Sequence, residues 1–298
     1  MSVVGIDAWD VAACAAGQNG GFLLAGLDSE YHDNCARVGR FKTKDLYQET
    51  VVELNSIFKE YPNCTKRTGS LRLGFDDDNM MECFKQYQAI KKDGFPVNWY
   101  SGPEGEGFHI PIDGVFDPLL RARTMAERAM RFGAKLFGRA RATEINEGIV
   151  RTEAGHIIRC KRTIVAVDGN IDKVLPEVAH KVRNVRLQMI GTEPAHDVRF
   201  TMPIHRDDDY WQQLADKRII LGGFDAIDDD EECWAALEVF LREHIKTKAK
   251  VTHRWVGVCA FNMEGDPICE EVRPGVFAIG AYSGQGNIIG TLYGKKAA

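Results

Sequence analysis

Apolar and polar positions change period several times along this chain, and each change predicts an element. VVGIDAWD near the start is a short apolar run that predicts a buried strand, followed by the small residues AACAAGQNGG. From 43 to 60 (TKDLYQETVVELNSIFKE), Leu46, Val51, Leu54, Ile57 and Phe58 fall near helical spacing and predict an amphipathic helix. TGSLRLGF (68–75) predicts a strand, and 77–93 a second helix. SGPEGEG at 101–107 has turn composition, without the strand-then-helix context of a phosphate cradle.

FDPLLRARTMAERAMRFG (116–133) is the best-marked helix: Asp117 suits the cap, Pro118 the first turn and Gly133 the end. Strands are predicted in AKLFGRARATEI, GIVRTEA and HIIRCKRTIVAV, with turns at Asn146–Gly148 and Ala154–Gly155. Arg121, Arg123, Arg128 and Arg131 read as a solvated face of the helix. From 181 to 225 the alternation is that of an antiparallel sheet, then 230–247 is helical and VTHRWVGVCAFN returns as a strand. GVFAIGAY (275–282) is a last apolar strand. The order predicts a mixed α/β (α+β) chain of two interleaved domains. Segments 1–30, 110–180 and 250–298 form one domain, and 31–109 and 181–249 the other, with a mostly antiparallel sheet.

Composition narrows the function. The 298 residues are 44% hydrophobic and 27% charged, enough for a sizeable core, and the net charge is −5 without a basic stripe. A nucleic-acid or anionic-membrane surface is therefore not expected. No apolar run approaches the roughly 18 residues of a span, and no leader pattern opens the chain, so a cytoplasmic protein is expected. The eight cysteines include no CxxC pair and predict reduced, mostly buried thiols with no metal site. Acidic clusters at 76–78, 207–209 and 228–232 read as helix caps and turns, since calcium-loop spacing is missing.

AYSGQGNIIGTLYG (281–294) carries the sharpest signal. Glycines at 284, 286, 290 and 294 stand where a helix should begin and continue, each at a cost of roughly 1 kcal/mol against alanine. Bare amides at a helix start suit an anionic or carbonyl-bearing ligand. The stripe Gly286, Gly290, Gly294 equally suits close packing on a sheet with no ligand.

Five ordered segments resemble the FAD-dependent oxidoreductases of the D-amino-acid oxidase superfamily: glycine and sarcosine oxidases, and particularly γ-glutamylputrescine oxidase-like enzymes. AAGQNGGFLL (15–24) is similar to the family's ASGRNGG segment, DGVFDPLLRARTMAERAMRFGAKLF (113–137) to its helix-and-strand pair, and RTIVAVDGN (162–170) to the strand that ends beside the cofactor. YWQQLADKRIILGGFD (210–225) resembles strands of the substrate domain. HRWVGVCAFNMEGDPI (253–268) with RPGVFAIGAYSGQGNIIG (273–290) resembles the C-terminal flavin-binding region. The resemblance implies FAD, held near Asp7, Gln18, Asn19, Gly20, Gly21, Ala142, Gly169, Gly257, Gly284, Gln285, Gly286 and Asn287. The flavin ring would lie against the final glycine turn. On the substrate side it implies Tyr31, Trp255 and Gln285, and a small amine or amino acid as substrate.

The chain departs from that pattern where the family carries a GxGxxG turn for the pyrophosphate. Gly5 is the only glycine before Gly17, and VVGIDAWD aligns with the family's second strand, placing Asp7 on the adenosine ribose. Three expectations follow: an incomplete sequence, a relative without flavin, or a partner chain completing the sheet. Gln18, Gln212 and Gln285 also stand where arginine or histidine is usual, which removes fixed positive charge and argues against a carboxylate-bearing substrate. His253 reads as structural, Trp255 as a wall or core residue, Cys259 as a buried thiol, and Tyr31 with His32 as either substrate-facing or loop polarity. The leading expectation is oxidation of a C–N bond to an imine. The rival is a non-catalytic remnant or interaction subunit of the same fold.

Overall fold

A computed structural model describes residues 2–27, 29–206, 209–224 and 226–298. In chain order it contains β1 (Val4–Ile6), α1 (Ala15–Gln18), β2 (Phe22–Leu23), α2 (Tyr31–Val38), α3 (Arg40–Glu60), β3 (Thr65–Arg67), β4 (Ser70–Gly74) and α4 (Asp77–Lys92). The hairpin β5 (Asn98–Gly102) and β6 (Gly105–Ile110) follows, then β7 (Gly114–Phe116) and α5 (Pro118–Arg131). Next come β8 (Lys135–Phe137), β9 (Ala142–Asn146), β10 (Ile149–Thr152), β11 (Ile157–Arg159), β12 (Thr163–Val165), α6 (Ile171–Val174) and a 3₁₀ turn. The last third holds β13 (Val182–Thr192), β14 (Ile204–Arg206), β15 (Asp209–Gln213), β16 (Ile219–Gly222), α7 (Asp230–Glu243), β17 (Val251–Asn262), β18 (Ile268–Arg273), β19 (Val276–Gly280) and α8 (Gly286–Ala297).

The helix boundaries are set by local chemistry. Asp76, Asp117 and Asp229 each accept an N–H from the first turn of α4, α5 and α7. Gly133, at φ +93°, ends the α5 segment in the left-handed conformation that side chains resist. Of the acidic clusters, 76–78 and 228–232 thus cap helices; in the third, Asp207 and Asp208 lie outside the described residues. The glycine-rich 101–107 stretch is mostly strand, a correction to its reading as a turn. The hairpin reverses before Gly105, and Gly107 sits where a Cβ would meet the Arg72 carbonyl of β4 at 2.0 Å. Its glycine serves strand–strand approach.

Two compact units result. Unit 1 comprises Met1–Asn19, Asp117–Val185 and Val258–Ala298; unit 2 comprises Gly20–Phe116 and Arg186–Gly257. Residues 20–30 of the sequence-based scheme, like residues 110–116, therefore fall in unit 2.

Unit 2 is organised by an eight-stranded sheet in the order β17-β13-β16-β15-β14-β4-β6-β5, with a smaller β2-β7-β3 sheet. Most pairs are antiparallel, but β14 and β4 run parallel. One sheet face buries Leu71, Leu73, Ile190, Ile204, Ile219 and Leu221 with Leu237, Phe240 and Leu241 of α7. Unit 1 holds three small sheets: β1-β8 parallel, β11-β10-β9, and β12-β19-β18. Its core joins Val165, Ile171, Leu175, Val276, Ala278 and Ala281. β1 does not meet the expectation of a buried strand: it pairs only with β8 among the described residues, and Val4 is 45% exposed. Among the described residues no helix is long and apolar enough to cross a membrane.

Candidate functional site

Within unit 1, the ends of β12 and β19 make a strained corner. Asp168 (φ +50°) and Asn170 (+65°) follow β12, while Ala281 (+52°), Ser283 (+50°) and Gly284 (+83°) follow β19. A left-handed non-glycine residue costs roughly 1–2 kcal/mol and persists only where its surroundings enforce it. Here the enforcement is visible. The Asp168 carboxylate accepts the amides of Ala260 at 3.2 Å and Tyr282 at 3.3 Å. Burial pushes its pKa above the ordinary carboxylate range, opposed by the backbone N–H groups that surround it. Ser283 donates its N–H to the Ala260 carbonyl at 3.0 Å, and its hydroxyl accepts from Asn262 N–H at 3.2 Å. Gln285 N–H closes the turn onto the Tyr282 carbonyl at 3.0 Å.

The turn so fixed leaves the amides of Gly284 and Gly286 without a hydrogen bond among the described residues. A Cβ at Gly284 would meet nothing within 4 Å, so this glycine is required by its φ and not by crowding. Gly286 and Gly290 instead lie over the Tyr282 ring, at would-be Cβ distances of 3.0 and 3.5 Å, and Gly294 faces open space. The expected glycine stripe thus packs on one tyrosine and not on a sheet. Asn19 joins this corner: its Oδ1 accepts from Asn287 Nδ2 at 3.4 Å, and its own amide donates to the Ala15 and Ala16 carbonyls.

The other predicted positions divide by unit. In unit 1, exposed Gln18 donates to the Ala13 carbonyl. Ala142 opens β9, opposite Thr152. Gly169 is required by the β17 backbone, since a Cβ would sit 2.3 Å from the Val258 carbonyl. Asp7 is committed locally, accepting the Trp9 amide at 2.8 Å. In unit 2, Gln212 is buried and its amide donates to the Gly20 carbonyl and, at 3.4 Å, to that of Gly21. Tyr31 is not an exposed loop residue. It opens α2, is buried against Tyr47 and Phe95, and donates its hydroxyl to Asp93 at 2.7 Å. Trp255 is half-buried, 3.4 Å from the Cβ that Gly191 lacks, and Gly257 has open space around it.

Two further readings are corrected. Arg121 is not solvated: it is buried, donating to the Asn287 carbonyl at 3.1 Å and to Thr291 Oγ1 at 2.8 Å, which ties α5 to the start of α8. Of the cysteines only Cys64 and Cys233 are buried; Cys14 and Cys269 are exposed, and Cys259 is half-buried. His253 is exposed, its Nδ1 2.9 Å from Thr252 Oγ1. Sequence reasoning missed Asp168, whose one signal was an aspartate directly before the glycine closing TIVAV.

The fold is that of glycine oxidase and related solved enzymes. The chain superposes on glycine oxidase from Geobacillus kaustophilus with a TM-score of 0.81 at 15% identity, covering 99% of this chain and 86% of that one. It superposes on iminodiacetate oxidase from Chelativorans sp. BNC1 with a TM-score of 0.78 at 16% identity, covering 100% and 94%. L-amino acid deaminase from Proteus vulgaris, with its specific insertion deleted, gives 0.74 at 17% identity, covering 99% and 82%. At such identities these likenesses are of fold. In sequence, the probable oxidoreductase OrdL of Rhizobium meliloti (strain 1021) is 27% identical over 205 residues, 62% of this chain. The match spans 47% of that relative's length. The chain belongs to the FAD dependent oxidoreductase (DAO) family, which it matches over residues 1–298.

The residues present fit the implied cofactor at one end. The uncommitted amides of Gly284 and Gly286, with no Cβ in the way at Gly284, suit a flat ring bearing carbonyl oxygens. After β1 the fit fails. α1 is four residues long, Asp7 is engaged by Trp9, and Ala12 (φ +62°) occupies the space beside Gly17. Among the described residues, no glycine turn leading into a long helix is formed there for a pyrophosphate.

Proposed function

We propose that this chain is a flavin-dependent oxidoreductase that oxidises the C–N bond of a small amine or amino acid to an imine. The observation that carries the reading is the turn 281–286, whose backbone is held in a strained form with two glycine amides left open. A flavin supplies the hydride acceptor, and the protein's part is orientation and exclusion of water. Asp168 and Ser283 hold the turn; Asn19, Asn287 and Arg121 fix the first turn of α8 behind it. Glycine oxidase, iminodiacetate oxidase and L-amino acid deaminase, as named relatives in fold, support the choice of a C–N bond.

Titration of the purified protein with FAD, followed by flavin absorbance and fluorescence, tests this. Saturable binding near one flavin per chain is expected, and Gly286→Val, whose side chain would collide with the Tyr282 ring, should weaken it at least tenfold. A colourless protein that takes up no flavin at any concentration would instead assign the chain to the non-catalytic class.

A further inference from the structure

The unit 2 sheet ends on one side in an undefended edge. Among the described residues β5 pairs with β6 alone, and it stands last in the eight-stranded order. Its sequence, NWYSG, carries neither the charge nor the proline that commonly protects an edge from pairing with another chain. Beside this edge lies a groove of about 380 Å³, lined by Asp77, Met80, Met81 and Phe84 of α4 and by Trp99 of β5. The four α4 residues are spaced for one helix face. Met81 and Phe84 are 55% and 46% exposed, and the Phe84 ring meets Trp99 edge-on at 5.8 Å. The groove also has a sign. Trp99 lies opposite Phe108 and Ser101 opposite Glu106, so Glu106 projects from the same face as Trp99 and accepts its indole N–H at 3.1 Å. Gly74, the neighbour of Glu106 on β4, leads into α4 and places Asp77 at the same end. Nearby cations are engaged: Lys85 with Glu82 at 2.6 Å, Lys91 with the Tyr87 hydroxyl at 2.7 Å, and Arg206 over the Phe75 ring at 4.8 Å.

We propose that this edge docks an extended, basic segment of a partner protein, which adds to β5 as a further strand. On the face toward α4, an apolar side chain of the segment enters the groove between Met81, Phe84 and Trp99. Two positions along the same face, a lysine or arginine meets Asp77 and Glu106. Strand addition supplies affinity through main-chain hydrogen bonds, and the groove with its carboxylates supplies selectivity. The flexible thioethers of Met80 and Met81 adapt to the shape of the side chain that enters. A second copy of this chain is the wrong occupant: a two-fold β5–β5 pairing would set two acidic grooves side by side with no cation to offset them.

The test uses the full chain and a dye-labelled octapeptide, Thr-Leu-Thr-Lys-Thr-Lys-Thr-Leu, with binding read by fluorescence anisotropy. This peptide should bind at least tenfold more tightly than the same peptide with glutamate in place of lysine. Two analogues carry methyl groups on the odd or on the even backbone nitrogens. The one that loses the N–H groups facing β5 should bind at least tenfold more weakly, and the other should bind as the parent peptide does. In the protein, Met81→Lys fills the groove and opposes its charge, and should weaken the peptide at least tenfold. Asp77→Asn should weaken it about threefold, with the difference shrinking at high salt. Both positions are exposed, and urea midpoints near the parent's show that the fold is kept. The proposal is overturned if the glutamate peptide binds as tightly, if neither variant changes binding, or if both methylated analogues bind as the unmodified peptide does. A dimer of the chain alone that Met81→Lys dissolves, seen by sedimentation velocity, would make a second copy the occupant and equally overturn it.

Discussion

The large sheet of unit 2 and the β1–β8 pair of unit 1 are both built from apolar strands, and they bury them to very different degrees. Leu71 and Leu221 in unit 2 are fully buried, whereas Val4 and Phe137 in unit 1 are 45% and 53% exposed. The cause lies in the number of neighbours. The inner strands of the eight-stranded sheet are paired on both sides and covered by α7, while β1 and β8 pair with each other alone among the described residues. Parallel strands are ordinarily covered on both faces, so this pair is the less protected half of the molecule. The contrast teaches that apolar sequence predicts strand, and that burial depends on the partners a strand finds.

The largest expected effect tests the well-covered side. Leu221→Ala should cost about 3 kcal/mol, from lost burial plus a cavity that the sheet and the α7 residues packed on it fill only in part. Val4→Ala should cost below about 1 kcal/mol, because much of that side chain already meets water. Urea midpoints followed by tryptophan fluorescence compare the two, and equal losses would erase the contrast.

A similar magnitude attaches to Asp113, buried in unit 2 between Ser70 Oγ at 2.6 Å and the Ala25 amide at 2.9 Å. Burial raises its pKa to about 6. A carboxyl raised in the folded state contributes stability that is complete below its unfolded value near 4 and lost as pH rises through 6. The stability of the parent minus that of Asp113→Asn should therefore fall by about 2 kcal/mol between pH 4 and pH 6.5. A difference that stays flat over this window would show that the carboxyl is not shifted. The smallest effect is expected at Phe132, beyond the end of α5 and 84% exposed. Phe132→Ser should change stability by no more than about 0.5 kcal/mol and reduce binding of a hydrophobic dye.

Much of this architecture is legible in sequence where the signal is local. Asp117, Pro118 and Gly133 mark α5 at both ends, and the apolar run VTHRWVGVCAFN became β17 over its full length. The glycine turn was legible for the same reason, since its unusual residues are adjacent. Asp168 was not, because its partners lie 92 and 114 residues away and nothing in VDGN announces them. Met81 and Phe84 read as ordinary positions of the helix predicted over 77–93. Their groove with Trp99 follows from the place of β5 at the sheet edge, which no periodicity reveals. Tyr31 and Arg121 failed in the opposite sense: polar atoms on long side chains suggested solvent, and the fold gave each a buried acceptor.

The knot around Asp168 also bears on how the protein comes into being. Its pieces of chain meet only after loops of roughly a hundred residues have closed, and such closures are slow because their entropy is lost before any contact compensates. The corner at 281–286 therefore cannot take shape on its own from the peptide that encodes it. It becomes competent late, when that peptide has left the ribosome and settles onto a carboxylate synthesised 114 residues before Tyr282.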